Sequence, residues 1–434
     1  MTAGGRELAL RCLAGMRSMQ DRSDEVLDRV ISRCADERER ALCSRLFYSV
    51  LQNRILLDHE IGRFCRVPLG RLEPQVLDIL RLCCAQLLLF DRIPAFSAVD
   101  EAVRHCSRVS PRASGLVNAV CRKIAGEKER PEIAGTPAER LSVLCSHPLW
   151  FTEKMLAVFG SEEECAAYLE ANNTIPPVFL RRNLFRPGSE ERFREAGLRP
   201  FDDAGCYMAE HASGAVKELL DEGLAYVQDP ASAYAVLAAG VEPGMTVADV
   251  CAAPGGKSFT ACMQMKGEGR LFSSDISARK VEAMRVQAER LGLPNMTVCR
   301  ADARDPRPEL EKAADVVLAD VPCSGFGVIR KKPEIRYKNP VTIARLPDIG
   351  LEILRRASGL VRPGGILLFS TCTVLPEENE EVVRRFLKEA PDYRLSGFSL
   401  PAGDCPEGMK TLYPHREGTD GFFICRMQRG VEPC

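Results

Sequence analysis

Apolar positions recur at helical spacing from Glu7 to about Ala125, as in Val26, Leu27, Val30, Ile31 and Cys34, and again in Leu116, Val117, Val120, Cys121 and Ile124. Apolar residues three and four apart line one face of a helix, so residues 1–130 read as an all-helical bundle. Pro94 punctuates the bundle, and Ser97 with Asp100 has the spacing of a capping box at the start of "AVDEAVRHC". The polar stretch "AGEKERPEIAGTP", residues 125–137, reads as a linker. Residues 140–225 mix short helical segments with strand-like pieces such as "PVFLRRN" and predict a small α+β domain. From Tyr226 to the C-terminus the period changes again. Apolar strands "MTVADV", "RLFSSD", "MTVCRAD", "ADVVLADV" and "GGILLFST" alternate with amphipathic helices such as "SARKVEAMRVQAERLG". Such alternation predicts parallel βαβ units in an α/β doubly wound, Rossmann-like domain over 226–434, with its ligand beyond the carboxyl ends of the strands.

Composition narrows this picture. A chain of 434 residues has room for about three domains, and its 45% hydrophobic content suffices for ordinary packed cores. No apolar run approaches the roughly 20 residues of a membrane span, and the N-terminus lacks the apolar centre of a signal peptide. A cytoplasmic protein without membrane partners is expected. Nineteen cysteines are scattered without a Cys-x-x-Cys pair, so reduced thiols are expected and no metal site. The net charge of -1 is uninformative about nucleic acid, but basic residues are in mild excess over 1–130. The run "IRKKPEIRYK", residues 329–338, is denser still.

The stretch "DVCAAPGGKS", residues 249–258, ends like a phosphate-binding loop, yet Cys251 stands where such a loop needs its first glycine. The turn "CAAPGG" follows the first strand of the α/β domain and leads into a helix near Lys257. Its glycines, 255 and 256, let a ligand approach the backbone and the helix N-terminus. Asp275 closes the second strand at the spacing of a ribose-binding acid, Asp302 closes the third within reach of an adenine edge, and Asp320 closes the fourth, where it suits an ammonium group. So many carboxylates would repel a pyrophosphate. S-adenosylmethionine carries a sulfonium, an ammonium and a ribose diol but no phosphate, and the pattern favours it. The predicted cofactor pocket is Cys251, Ala252, Ala253, Pro254, Gly255, Gly256 and Lys257 with Asp275, Asp302 and Asp320.

Two thiols complete the rim. "DVPCSGFGVIRKKPEI" puts Cys323 after the fourth strand beside Asp320, and "LLFSTCTVLPEENEE" puts Cys372 at the end of the next. With "CAAPGGK", these motifs resemble the RNA cytosine-5 methyltransferases that pair a Pro-Cys with a Thr-Cys motif. The helical N-terminus, "LSVLCSHPLWFTEKMLAVFG" and "YVQDPASAYAVLAAG" are similar to their 16S ribosomal RNA methyltransferase B branch, in which a NusB-like RNA-binding domain precedes the class I SAM-dependent methyltransferase domain. The resemblance covers nearly the whole chain and is sharpest over the last 200 or so residues.

The resemblance implies roles. Cys372 is the nucleophile for C6 of the target cytosine, which makes C5 able to take the methyl group, and Cys323 helps to release the methylated product. Asp320 lies near N3 of the base, with Lys257 orienting it. Ribosomal RNA, free or in early assembly, is the expected partner of a monomeric enzyme, held by Arg330, Lys331 and Lys332. Phe326 stands where Thr or Leu is more usual in the family, and Thr373 where Ser is frequent. Other readings are weaker. A nicotinamide dehydrogenase wants Gly-x-Gly-x-x-Gly, which "CAAPGG" lacks. A non-catalytic RNA-binding factor would not need both thiols and every acid, whereas a tRNA or other rRNA target would leave the chemistry unchanged.

Overall fold

The computed structural model describes residues 4–18, 22–127, 131–209, 213–305 and 308–431. The chain forms two compact units, one of residues Met1–Thr174 with Ile329–Lys338 and one of Ile175–Val328 with Asn339–Cys434.

In the first unit, helices Gly5–Gly15, Ser23–Ile31, Glu37–Phe64, Pro74–Leu89, Ala95–Val109 and Ser114–Gly126 close around one core. The helical face of Val117, Val120, Cys121 and Ile124 is buried in it, and Cys12, Cys43, Cys83, Cys84 and Cys106 fill it as small apolar groups. The capping box at Ser97 does not form. The helix starts earlier, at Ala95 behind Pro94, and the Ser97 amide already donates to the Pro94 carbonyl at 3.0 Å. Proline's fixed φ suits it to a helix entrance, and it moves the boundary by one turn. A reciprocal capping box stands instead at Thr136 and Glu139, opening helix Pro137–Leu144. That helix, Leu149–Phe159 and Glu162–Ala171 belong to the first unit. The unit boundary at 174/175 thus falls inside the segment 140–225 expected as one small domain.

The long helix Glu37–Phe64 breaks at Asn53 (φ -111°, ψ 17°). A break strips neighbouring amides and carbonyls of their helical partners, and buried groups must find others. The Ile55 amide donates to Ser146 Oγ at 2.9 Å. Arg336 Nη1 donates to the Gln52 carbonyl at 2.7 Å, to the Ser146 carbonyl at 3.0 Å and to Asn173 Oδ1 at 2.9 Å. The Tyr337 hydroxyl donates to the Leu51 carbonyl at 2.7 Å, under the Arg54 guanidinium at 3.6 Å from the ring centre. The segment Ile329–Lys338 therefore plugs the broken helix. Burial pushes the Arg336 guanidinium down to about 10, which leaves it charged at neutral pH.

The second unit begins with a small antiparallel sheet of β1 (Val178–Arg182), β2 (Arg199–Pro200), β3 (Cys206–Ala209) and β4 (Ala225–Val227), in the order β2-β3-β1-β4. The larger sheet contains β5 (Thr246–Asp249), β6 (Arg270–Asp275), β7 (Met296–Arg300), β8 (Ala314–Asp320) and β9 (Val361–Thr371), all parallel in the order β9-β8-β5-β6-β7. The chain adds β6 and β7 on one side of β5 and then β8 and β9 on the other. That reversal creates a switch point between β5 and β8, whose carboxyl ends carry Asp249 and Asp320. Alternation along β8 buries both faces, Val316 and Leu318 in one core and Val317 and Ala319 in the other.

Strand–helix alternation did not announce the antiparallel extension. β10 (Tyr393–Leu395), the hairpin of β11 (Phe398–Leu400) and β12 (Gly403–Cys405), β13 (Met409–Leu412) and β14 (Phe422–Arg429) follow, with β14 lying antiparallel to β9. Asp302 lies two residues past the end of β7, not at its end. Among the described residues no helix is long and apolar enough to cross a membrane.

Candidate active site

The turn after β5 is held by its own backbone: the Ala252 amide donates to the Ser274 carbonyl and the Gly255 amide to the Ala252 carbonyl, both at 2.8 Å. Gly255 has φ +115°, and a Cβ there would stand 2.3 Å from the Phe259 ring, so no other residue fits this corner. Helix Gly256–Gln264 starts at once. Cys251 feels all four acids: burial first, then Asp249, Asp320, Asp275 and Asp302, push its thiol upward. Asp249, Asp275 and Asp320 end β5, β6 and β8 around this turn, and Asp302 follows β7. Such a set of carboxylates around a close-approach turn fits a cationic cofactor with a ribose diol and has no phosphate clamp. Asp275 Oδ1 accepts the Ser277 amide at 2.9 Å. Asp302 is engaged by Arg304, which donates at 2.8 Å and holds the carboxyl below its usual range.

Asp249 is buried. Its Oδ2 accepts the Ser258 hydroxyl at 2.7 Å, and its Oδ1 has no hydrogen-bond partner. Burial pushes it from 3.8 up to about 7, opposed by Ser258 and Lys257 and reinforced by Asp320. The folded protein therefore keeps a proton that the unfolded chain has released. The stability this contributes is present below about pH 4 and is lost as pH rises through 7. Asp249→Asn is expected to flatten the fall of the unfolding midpoint between pH 5 and 8. Parallel curves for variant and wild type, in thermal unfolding at a series of pH values, would show Asp249 ionised throughout.

Lys257 Nζ donates to Asp320 Oδ2 at 2.7 Å and to Ser232 Oγ at 3.1 Å and lies 4.8 Å from the Phe422 ring centre. The Ser370 hydroxyl donates to Asp320 Oδ1 at 2.9 Å. Asp320 is thus locked from both sides. The parallel register that sets Asp320 opposite Ser370 also brings the two following loops together. Cys323 Sγ and Cys372 Sγ are 3.3 Å apart, both half-buried. The hydrogen bond to Cys372, then burial, then the charges of Cys372, Glu378 and Asp320 push the Cys323 thiol well up, and either sulfur can donate in the bond between them. The Gly327 amide donates to the Cys372 carbonyl at 2.9 Å, and the Gly421 amide to the Gly327 carbonyl at 2.8 Å.

Sequence reasoning missed Ser232, Ser370, Phe422, Gly327 and Gly421. Only the glycine in "SGFG" offered a local sign. Arg330 is buried and Lys331 and Lys332 are half-buried, all in the first unit; Arg336 from the same run is turned fully inside. Among the described residues no cluster of three or more metal-ligating side chains occurs and the cysteines are free thiols.

Comparison with known proteins gives matches to two family models, "16S rRNA methyltransferase RsmB/F" over residues 236–428 and "NusB family" over residues 4–126. The chain is similar to the probable ribosomal RNA small subunit methyltransferase B of Bacillus subtilis, at 35% identity over 98% of each chain. It is also similar to the ribosomal RNA small subunit methyltransferase B of Thermus thermophilus, at 33% identity over 94% of each. The crystal structure of PH0851 matches at a TM-score of 0.81 and 25% identity over 98% of each chain.

Proposed function

Because the chain belongs to the 16S rRNA methyltransferase RsmB/F family, we propose that it transfers a methyl group from S-adenosylmethionine to C5 of one cytosine in small-subunit ribosomal RNA, through a covalent bond between Cys372 and C6. The observation that carries this reading is the pair of sulfurs at 3.3 Å beside the Lys257–Asp320 pair.

The residues divide the work. Cys372, relieved of its proton, attacks C6, and the displaced π electrons make C5 nucleophilic. Asp320, oriented by Lys257 and Ser370, faces N3, where as the protonated acid it donates its proton to the ring nitrogen that turns negative on attack, and Lys257 balances the carboxylate left behind. The turn 251–257 with Asp275 and Asp302 holds the cofactor, which when bound supplies an electrophilic methyl group. The C5 proton then passes to Cys323 as thiolate, or to water, its C–H electrons restore the C5–C6 double bond and the C6–S electrons return to Cys372; Cys323 is the thiol we assign to that release. A stacked cytosine hides its ring face, so the target base leaves the stack at a cost of a few kcal/mol. Residues 1–130, with Lys331 and Lys332, are assigned to holding the RNA; Arg330, being buried, is not.

Labelled methyl transfer to unmodified small-subunit rRNA, followed by base-resolution mapping, tests the reading. One labelled cytosine is expected. Label on tRNA alone would move the target, and label on neither RNA would favour a binding factor without catalysis.

A further inference from the structure

The motif "PEENE", residues 376–380, lies just beyond Cys372, and nothing in the mechanism above employs it. Two of its side chains are buried in unequal company. Glu378, 5% exposed, turns toward the Cys323 loop, where Oε2 accepts the amide of Ser324 at 2.8 Å. Asn379, fully buried, turns toward the Cys372 strand end. Its Oδ1 accepts the Thr371 hydroxyl at 2.6 Å and its Nδ2 donates to the Thr373 carbonyl at 3.0 Å, so one amide spans the residues before and after Cys372. The Ser324 and Thr373 hydroxyls, 2.9 Å apart, close the ring between the two loops.

We propose that Glu378 and Asn379 are the positioning residues of the two-thiol site, each fixing the loop of one sulfur, with Glu378 also setting the charge beside Cys323. This rests on the reading of the two thiols as catalytic. Consecutive residues acting on different loops hold the sulfurs at a common distance, because neither loop can shift without pulling the turn that carries both side chains. The groups facing Cys323 are Cys372 just past the end of β9, Asp320 at the end of β8, itself paired with Lys257 from helix Gly256–Gln264, and Glu378. Glu378 is the one of these whose charge opposes loss of the Cys323 proton from within the motif. A proton favoured on Cys323 leaves Cys372 free for the attack that the proposed function assigns to it.

Peptide-resolved alkylation of the full-length protein by iodoacetamide across pH 6–10 tests this without RNA. Glu378→Gln keeps an oxygen for the Ser324 amide and removes the charge. Its Cys323 alkylation is expected to run about 10-fold faster at a given pH, while the control Glu381→Gln, at an exposed position, leaves the rate in place. Asn379→Ala is expected to lower kcat for methyl transfer about 10- to 100-fold with KM for S-adenosylmethionine unchanged, and to change the Cys372 alkylation profile. Lower melting temperatures with both alkylation profiles unmoved would reduce the pair to structural residues and overturn the proposal. A wild-type protein that methylates no RNA but shows the Glu378→Gln rate increase would separate a failure of the functional reading from a failure of this one.

Discussion

Cys372→Ala is expected to abolish methyl transfer, by about 10⁴-fold or more, and to form no covalent complex with RNA. Cys323→Ala is expected to retain the attack and to accumulate a protein–RNA adduct that survives denaturing electrophoresis. The asymmetry follows from the roles proposed for the two sulfurs. Two thiols at 3.3 Å share a hydrogen bond in which either can donate, and that bond, then burial, then the charges of Glu378 and Asp320 raise the Cys323 thiol. Only a thiolate attacks carbon at a useful rate, and the proposed function gives that role to Cys372. Removing it takes away the sulfur assigned to attack C6. Removing Cys323 leaves attack possible but takes away the group assigned to release, and the covalent species outlives the methyl transfer. Equal adduct in the two variants would overturn the division of roles, and adduct in Cys372→Ala alone would reverse it.

What the sequence revealed of this site is what local spacing sets. A strand that ends in an acid and a turn that ends in two glycines are decided within a few residues, and Asp275, Asp320 and Gly255 stand where the pattern put them. The closeness of Cys323 and Cys372 is of a different kind. It depends on β8 and β9 pairing in the register that opposes Asp320 with Ser370, a long-range fact that no window of sequence contains. Glu378 finds its partner 54 residues back in the chain, and its acidic neighbours make it look like part of a solvated helix start. Arg336 shows the converse. In a basic, polar stretch it reads as a side chain for solvent or RNA, yet the break at Asn53 supplies carbonyls that draw it inside. Burying a guanidinium is unfavourable unless its hydrogen bonds are met, and the first unit supplies acceptors to Nη1 and Nη2 where its own helix fails, though none to Nε.

Gly327→Ala is expected to cost about 3 kcal/mol of stability and to remove nearly all methyl transfer. A Cβ on Gly327 would stand 1.8 Å from the Gly421 carbonyl oxygen and 2.8 Å from that of Cys372. Both obstacles are backbone, which cannot rotate aside as a side chain tip would. Gly421 is as tightly placed, since its own Cβ would fall 2.7 Å from the Gly327 Cα. The two glycines let three strands of backbone cross within hydrogen-bond distance, and that crossing ties the Cys323 loop to the strand end bearing Cys372. An added methyl group has to push the loops apart by about an ångström or more, and displacement of reacting groups on that scale costs roughly 10²-fold in rate. Gly62→Ala is the matched control. It lies inside helix Glu37–Phe64 with open space where its Cβ would go, so the same substitution is expected to gain up to about 1 kcal/mol and leave activity intact. Denaturant unfolding and methyl-transfer assays on the two variants separate the cases. Wild-type stability in Gly327→Ala would mean that the loops can part without cost, and the two sulfurs would then owe their distance to Glu378 and Asn379 alone.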